Sequence, residues 1–214
     1  MKIAIIGQGG HSKVIRDVIR AMEGAEIVGC LDDKFKTEFY HEQVFYGPVN
    51  SAIRFANDFP EVKFIVAVGN NQVRKQIVDC LGLPSTFYTT LIHPTAHISP
   101  HTSIGPGSVV MPCAVVNSDA RVGAHAIINT CAVVEHDSDI EDFVHISPNA
   151  TLTGNVTVRE GAQVGASATI IPGMEIGKWA IVGAGATVIN HIPANCTAVG
   201  VPAIVKMKEV TGGV

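Results

Sequence analysis

The triplet Glu135-His136-Asp137 sets one imidazole between two carboxylates. A carboxylate beside a histidine fixes its tautomer and raises its basicity, as a general base requires. Either Glu135 or Asp137 can fill that role, and an ordinary solvated turn would show the same three residues. His145 follows nine positions later and offers a donor for a bound carbonyl. The chain also holds His93, His97, His101, His125 and His191 in the same half. Most of these are expected at surfaces or corners without a role.

A second group lies near the start. Gly7-x-Gly9-x-x-Ser12 is an incomplete dinucleotide fingerprint, with serine where a third glycine belongs. If Gly9, Gly10 and His11 open a helix, their amides can meet a pyrophosphate. Asp32 and Asp33 then close a second strand, where a ribose or base is usually held. Gly69-Asn70-Asn71 closes a third. A tight strand-to-helix turn with no ligand accounts for the same glycines.

The elements that must position these residues fall into two halves. Over residues 1–88, strands at Ile3 to Ile6, Glu26 to Leu31 and Lys63 to Val68 alternate with helices. Val14, Ile15, Val18, Ile19 and Met22 recur at helical spacing, and a further helix is expected from Gln72 to Cys80. This is the pattern of a small Rossmann-like α/β unit with a parallel sheet.

Over residues 89–214 the period becomes six. Every sixth position from Ile92 to Val188 is Ile, Val or Leu, and the position four later is usually Ala, Ser or Thr. A short period held this long is the signature of a solenoid. Six residues form one side of a triangular coil, so the expected fold is a left-handed parallel β-helix with 18 residues per turn. The register has no break, so no long loop is expected within it.

Coil arithmetic then relates distant residues. Positions 18 apart stack about 4.8 Å from one another. Gly154 therefore stands one coil beyond His136, and its backbone N–H is a candidate oxyanion donor beside a candidate base, the arrangement acyl transfer needs. Ala166 and Ala184 are also 18 apart and form a column of small residues. Flat solenoid faces suggest that a neighbouring copy completes the sites, in a closed homotrimer.

Composition excludes several classes. The net charge is −4 and no basic run occurs, so a nucleic-acid partner is not expected. Cys30, Cys80, Cys113, Cys131 and Cys196 form no CxxC pair, which points to reduced core thiols in a cytoplasmic protein. No secretory leader or membrane span is expected. His136 and His145 lack the spacing and the third partner of a zinc site, so no metal is expected.

Three stretches carry a family resemblance: Asn129 to Asp137, His145 to Ala150, and the closing Val199-Gly200-Val201-Pro202-Ala203. They resemble the sugar O- and N-acyltransferases of the sialic-acid O-acetyltransferase family. Within it the chain is similar to the acetyltransferases of UDP-4-amino-4,6-dideoxy sugars in bacillosamine-type pathways. The likeness extends to Gly9-Gly10-His11, Asp32-Asp33 and Gly69 to Arg74. It implies acetyl-CoA as co-substrate, with no tightly bound cofactor, and a nucleotide-linked amino sugar as acceptor. It also implies His136 as base, supported by Asp137, with His145, Gly154, Ala166 and Ala184 along the acetyl-CoA cleft. The glycine turn, Asp32, Asp33 and Gly69 would then hold a UDP-sugar rather than NAD. O-acetylation of a sugar such as sialic acid would use the same residues. A nucleotide-binding scaffold without chemistry is the remaining alternative.

Overall fold

The computed structural model describes residues 1–206. The first half is a five-stranded sheet flanked by helices, in the order β3-β4-β2-β1-β5. Strand β1 (Lys2–Ile6) runs parallel between β2 (Glu26–Leu31) and β5 (Lys63–Val66). Ile3 to Ile6 are fully buried, as a central parallel strand covered on both faces demands. The third strand ends at Val66, two residues short of the expected Val68.

Helix α1 (Gly10–Ala21) buries Ile15, Val18 and Ile19 on one stripe. Helix α3 (Asn71–Leu81) begins where the Asn70 side chain accepts the Val73 N–H at 3.0 Å. It ends at Gly82, whose φ of 57° is the left-handed closure that glycine adopts freely. Between β2 and β5, three elements are not foreseen by the periodicity. These are β3 (Phe39–His41), its antiparallel partner β4 (Val44–Gly47), and α2 (Ser51–Asp58).

Seventeen two-residue strands follow, β6 (Leu91–Ile92) to β22 (Thr187–Val188), one for each hexapeptide. They stack into three parallel sheets with partners 18 apart, such as Val115 with Val133 and Ile127 with His145. The second residue of each strand is the expected branched one. From Val110 onward these residues fill the prism interior. Ile92 instead remains 36% exposed, because no coil precedes it. Ala114, Ala120, Ala126 and their equivalents are fully buried at the corners. The final coil is two residues short: Ile181 pairs with Thr197. Strand β23 (Thr197–Val199) then folds back against β24 (Ile204–Lys206).

The halves share a core. Ile3, Ile5, Ile15, Ile19 and Ile65 pack in one cluster with Leu91, Val109 and Met111 of the solenoid. The α/β unit thus sits on the prism face made by β6, β9 (Val109–Val110), β12 (Ile127–Ile128) and β15 (His145–Ile146).

The cysteines depart from expectation. Only Cys30 is buried; Cys80, Cys113 and Cys131 are exposed. Cys113 and Cys131 occupy left-handed corner positions (φ 58° and 55°), from which side chains project outward.

Candidate active site

His136 follows β13 (Val133–Val134) and precedes β14 (Asp139–Ile140), at the prism edge between their two sheets. Asp137 is the left-handed residue of that turn, with φ 60°. Its Oδ2 lies 2.8 Å from His136 Nδ1. Glu135 does not reach the ring; its Oε2 meets only the His136 backbone N–H, at 3.4 Å. Of the two carboxylates open in the sequence, the structure therefore puts Asp137 on the imidazole. The hydrogen bond from Asp137 raises the His136 pKa above the ordinary histidine value. With Nδ1–H donated to Asp137, Nε2 carries the lone pair, on the side of the ring that lies against Gly154. The side chain is 62% exposed.

Gly154 lies under this ring. A Cβ there would stand 2.6 Å from both Cε1 and Nε2 of His136. Glycine at this position lets the ring lie directly against the backbone, and a larger residue would displace it.

His145 lies elsewhere. Its strand belongs to the face carrying the α/β unit, and that face is opposite the edge of His136. Its Nε2 is 3.0 Å from Asn129 Nδ2. Burial, and next the nearby Arg74 charge, push its pKa down to about 4. Ala166 and Ala184 stack on a third location, the edge that follows β18 (Gln163–Val164) and β21 (Ile181–Val182). Within one chain, then, His136 and Gly154 come together, Ala166 and Ala184 come together, and His145 joins neither pair.

His145 instead keeps company with the glycine turn. His11 lies close enough to Gly69 that a Cβ on that glycine would stand 4.0 Å from its own Cβ. His11 is pushed down to about 4 by burial and then by Arg74. Gly7 has a φ of 101°, and a Cβ there would meet Val68 Cγ2 at 2.9 Å. Gly9 and Gly10 are exposed with open space about their Cα atoms. Gly9 caps α1 without a side-chain bond, so no cap side chain occupies the first amides of that helix.

The two aspartates are engaged locally. Asp32 Oδ2 accepts the Gln8 N–H at 2.7 Å and Oδ1 accepts the Lys34 N–H at 2.9 Å. Asp33 Oδ1 accepts the Val49 N–H at 3.0 Å. Their first effect is to shape the turn. Sequence spacing assigns no individual role to Asn71, Arg74 or the buried His125; the solenoid partners of Asn71 and Arg74 lie 51 to 91 residues further along the chain. No cluster of three or more metal-ligating side chains occurs among the described residues. No helix there is long and apolar enough to cross a membrane.

Comparison with known proteins adds to this geometry. The family model described as the PglD N-terminal domain matches residues 2–81. Over 109 residues the chain is 50% identical to the UDP-N-acetylbacillosamine N-acetyltransferase of Bacillus subtilis (strain 168). That match spans 51% of this chain and 50% of that protein. Among solved structures, a histidine-to-asparagine variant of perosamine N-acetyltransferase from Caulobacter crescentus, in complex with CoA and GDP-perosamine, superposes with a TM-score of 0.86. It is 33% identical, over 97% of this chain and 98% of that one. The acetyltransferase domain of PglB from Neisseria gonorrhoeae FA1090, in complex with acetyl coenzyme A, gives 0.84 at 36% identity, over 96% and 98%.

Proposed function

The chain belongs to the hexapeptide-repeat sugar N-acetyltransferases, and from that premise we propose that it transfers the acetyl group of acetyl-CoA to the amino group of a nucleotide-linked sugar, a UDP-linked 4-amino-4,6-dideoxy sugar in the first instance. The observation that carries this reading is the His136 ring, tied through Nδ1 to Asp137 and seated over Gly154, in a side chain that is mostly exposed. Residues 1–88 hold the nucleotide sugar, and residues 89–214 carry the chemistry, in the cytoplasm.

The sugar nitrogen attacks the thioester carbon, and Nε2 of His136 takes a proton from that nitrogen. A C–N bond forms, and the oxygen of the tetrahedral intermediate is met by a backbone N–H, for which Gly154 is the candidate. Collapse breaks the C–S bond, and the imidazolium returns its proton to the departing CoA thiolate. Ala166 and Ala184 give pantetheine a groove without side-chain obstruction. Free CoA released on incubation with acetyl-CoA and a panel of UDP- and GDP-linked 4-amino sugars tests the reaction. No release with any of them, from folded protein, would defeat it.

A single chain separates His136 from the glycine turn by the width of the prism, so a neighbouring copy must bring the two together. A homotrimer with sites between chains does this. Light scattering at micromolar concentration is expected to report about three chains per particle, and an active monomer would contradict it.

Asp32→Ala is expected to weaken nucleotide-sugar binding and to leave acetyl-CoA affinity near wild type. The substitution frees the Gln8 and Lys34 amides and loosens the turn, which lies apart from the Ala166–Ala184 edge. Equal loss of both affinities, read by calorimetric titration, would mean that the effect spreads beyond the turn.

A further inference from the structure

Arg74 is 1% exposed, the largest fully buried side chain among the described residues. An arginine has five N–H donors, and here each one finds an acceptor. Nε donates to the His125 carbonyl at 2.8 Å. Nη1 donates to the carbonyls of Val68 and Gly69 at 2.9 and 3.3 Å. Nη2 donates to Asn71 Oδ1 at 2.9 Å and to the Phe143 carbonyl at 2.8 Å. None of the five acceptors is a carboxylate. A buried charge is ordinarily met by a counter-charge, because desolvation is costly. Here carbonyl dipoles alone surround it.

The acceptors show a pattern. His125 and Phe143 are 18 apart, so they occupy the same corner of successive coils. Asn71 Nδ2 continues the column, donating to Gly161 and Ala162 carbonyls at 3.1 and 3.2 Å. His125, Phe143 and Gly161 all have left-handed φ, of 55°, 59° and 68°. The backbone bonds between coils use the N–H of each of these residues, not its carbonyl. The first turn of α3 therefore grips three spare carbonyls in a row. The same guanidinium holds the Val68–Gly69 backbone, the loop beside His11 and His145.

We propose that Arg74, seconded by Asn71, is a positioning residue that sets the nucleotide-sugar loop at a fixed height and angle on the solenoid, and so aligns the acceptor amine for attack. Its kinetic consequence rests on the acetyl-transfer reading above. Each substrate binds largely to its own half, so loosening the join leaves the separate affinities intact and misaligns the reacting atoms. A misplacement of about 1 Å can lower turnover about 10²-fold.

The test is Arg74→Lys in the full chain. Lysine keeps the charge but has three donors for five acceptors, without the planar fork. Expected are a kcat at least about tenfold lower and Kd values for UDP and for CoA each within about threefold of wild type. A kcat within about twofold of wild type overturns the proposal. A loss of UDP affinity that matches the loss in kcat also overturns it, because Arg74 would then build the nucleotide pocket and not the join. If R74K fails to fold, Asn71→Ala is read by the same criteria.

A second measurement needs no turnover. The imidazole NMR signals of His11 and His145 report the join from its two sides. In wild type they are expected to titrate near the low values that burial and Arg74 impose, about 4. In R74K both move toward the ordinary value of about 6.5 as water enters. Unmoved midpoints in R74K overturn the proposal. A wild type inactive on every sugar would end the reaction assigned above, and this measurement would still decide the role of Arg74.

Discussion

His136→Ala is expected to leave a folded protein whose kcat has fallen about 10² to 10⁴-fold, the usual effect of removing a general base. Folding survives because the side chain lies on an exposed edge and packs into no core. The Michaelis constant for acetyl-CoA should change little, since the groove proposed for it at Ala166 and Ala184 follows another edge of the prism. In wild type, kcat/KM falls on the acid side as the imidazole protonates. Asp137 raises that pKa, so the limb sits above the value of a free histidine. Asp137→Asn removes the carboxylate charge that favours the imidazolium, and the limb moves to lower pH with a smaller loss of rate. Steady-state kinetics from pH 5 to 9 (about the range His titration spans) measures both effects. A near-normal kcat in H136A, or an unshifted limb in D137N, would remove this pair from the mechanism.

Acid should also unfold the protein unusually steeply. His11, His125 and His145 are all pushed down to about 4, chiefly by burial and then by Arg74. In the unfolded chain each returns to about 6.5. Between those values the unfolded state binds up to three protons that the native state refuses. Stability is thus complete above about pH 6.5 and drains away as pH falls toward 4. Three such sites give a slope of at most about 4 kcal/mol per pH unit. Urea unfolding at fixed protein concentration, repeated across this window, gives the slope directly. His125→Phe removes one of the three while keeping a ring to stack on Phe143, now 5.1 Å away, and to meet the edge of Tyr88. Its slope should be about one third smaller. A wild-type slope near zero in this range would mean that these histidines titrate normally.

The solenoid was legible because its physics is local. One inward position in six must be branched and apolar, and Val110 to Val188 obey that rule coil after coil. The α/β start was legible for the same reason at β1, α1 and β2. The β3–β4 hairpin was not: its aromatic residues, including the stacked Phe39 and Tyr46, carry no clean alternation. Spacing also set His136 beside Gly154, but it could not reveal that the glycine makes room for the ring. Within one chain, nine residues are half a triangular coil, which carries His145 to the face opposite the edge of His136. Arg74 reads as one more polar residue on an amphipathic helix. What buries it is the corner of a solenoid that begins well downstream, and no local pattern records that.

The grip of α3 on carbonyls that recur once per coil makes the join a ladder with rungs about 4.8 Å apart. An extra 18-residue coil inserted beyond Ala184 would lengthen the prism and leave every occupied rung in place. The same insertion between His125 and Phe143 would move those two apart but set an equivalent corner carbonyl in the vacated place, whereas an insertion of a few residues would break the column. The stretch beneath α3 is therefore held to whole coils, by a helix that shares none of its sequence.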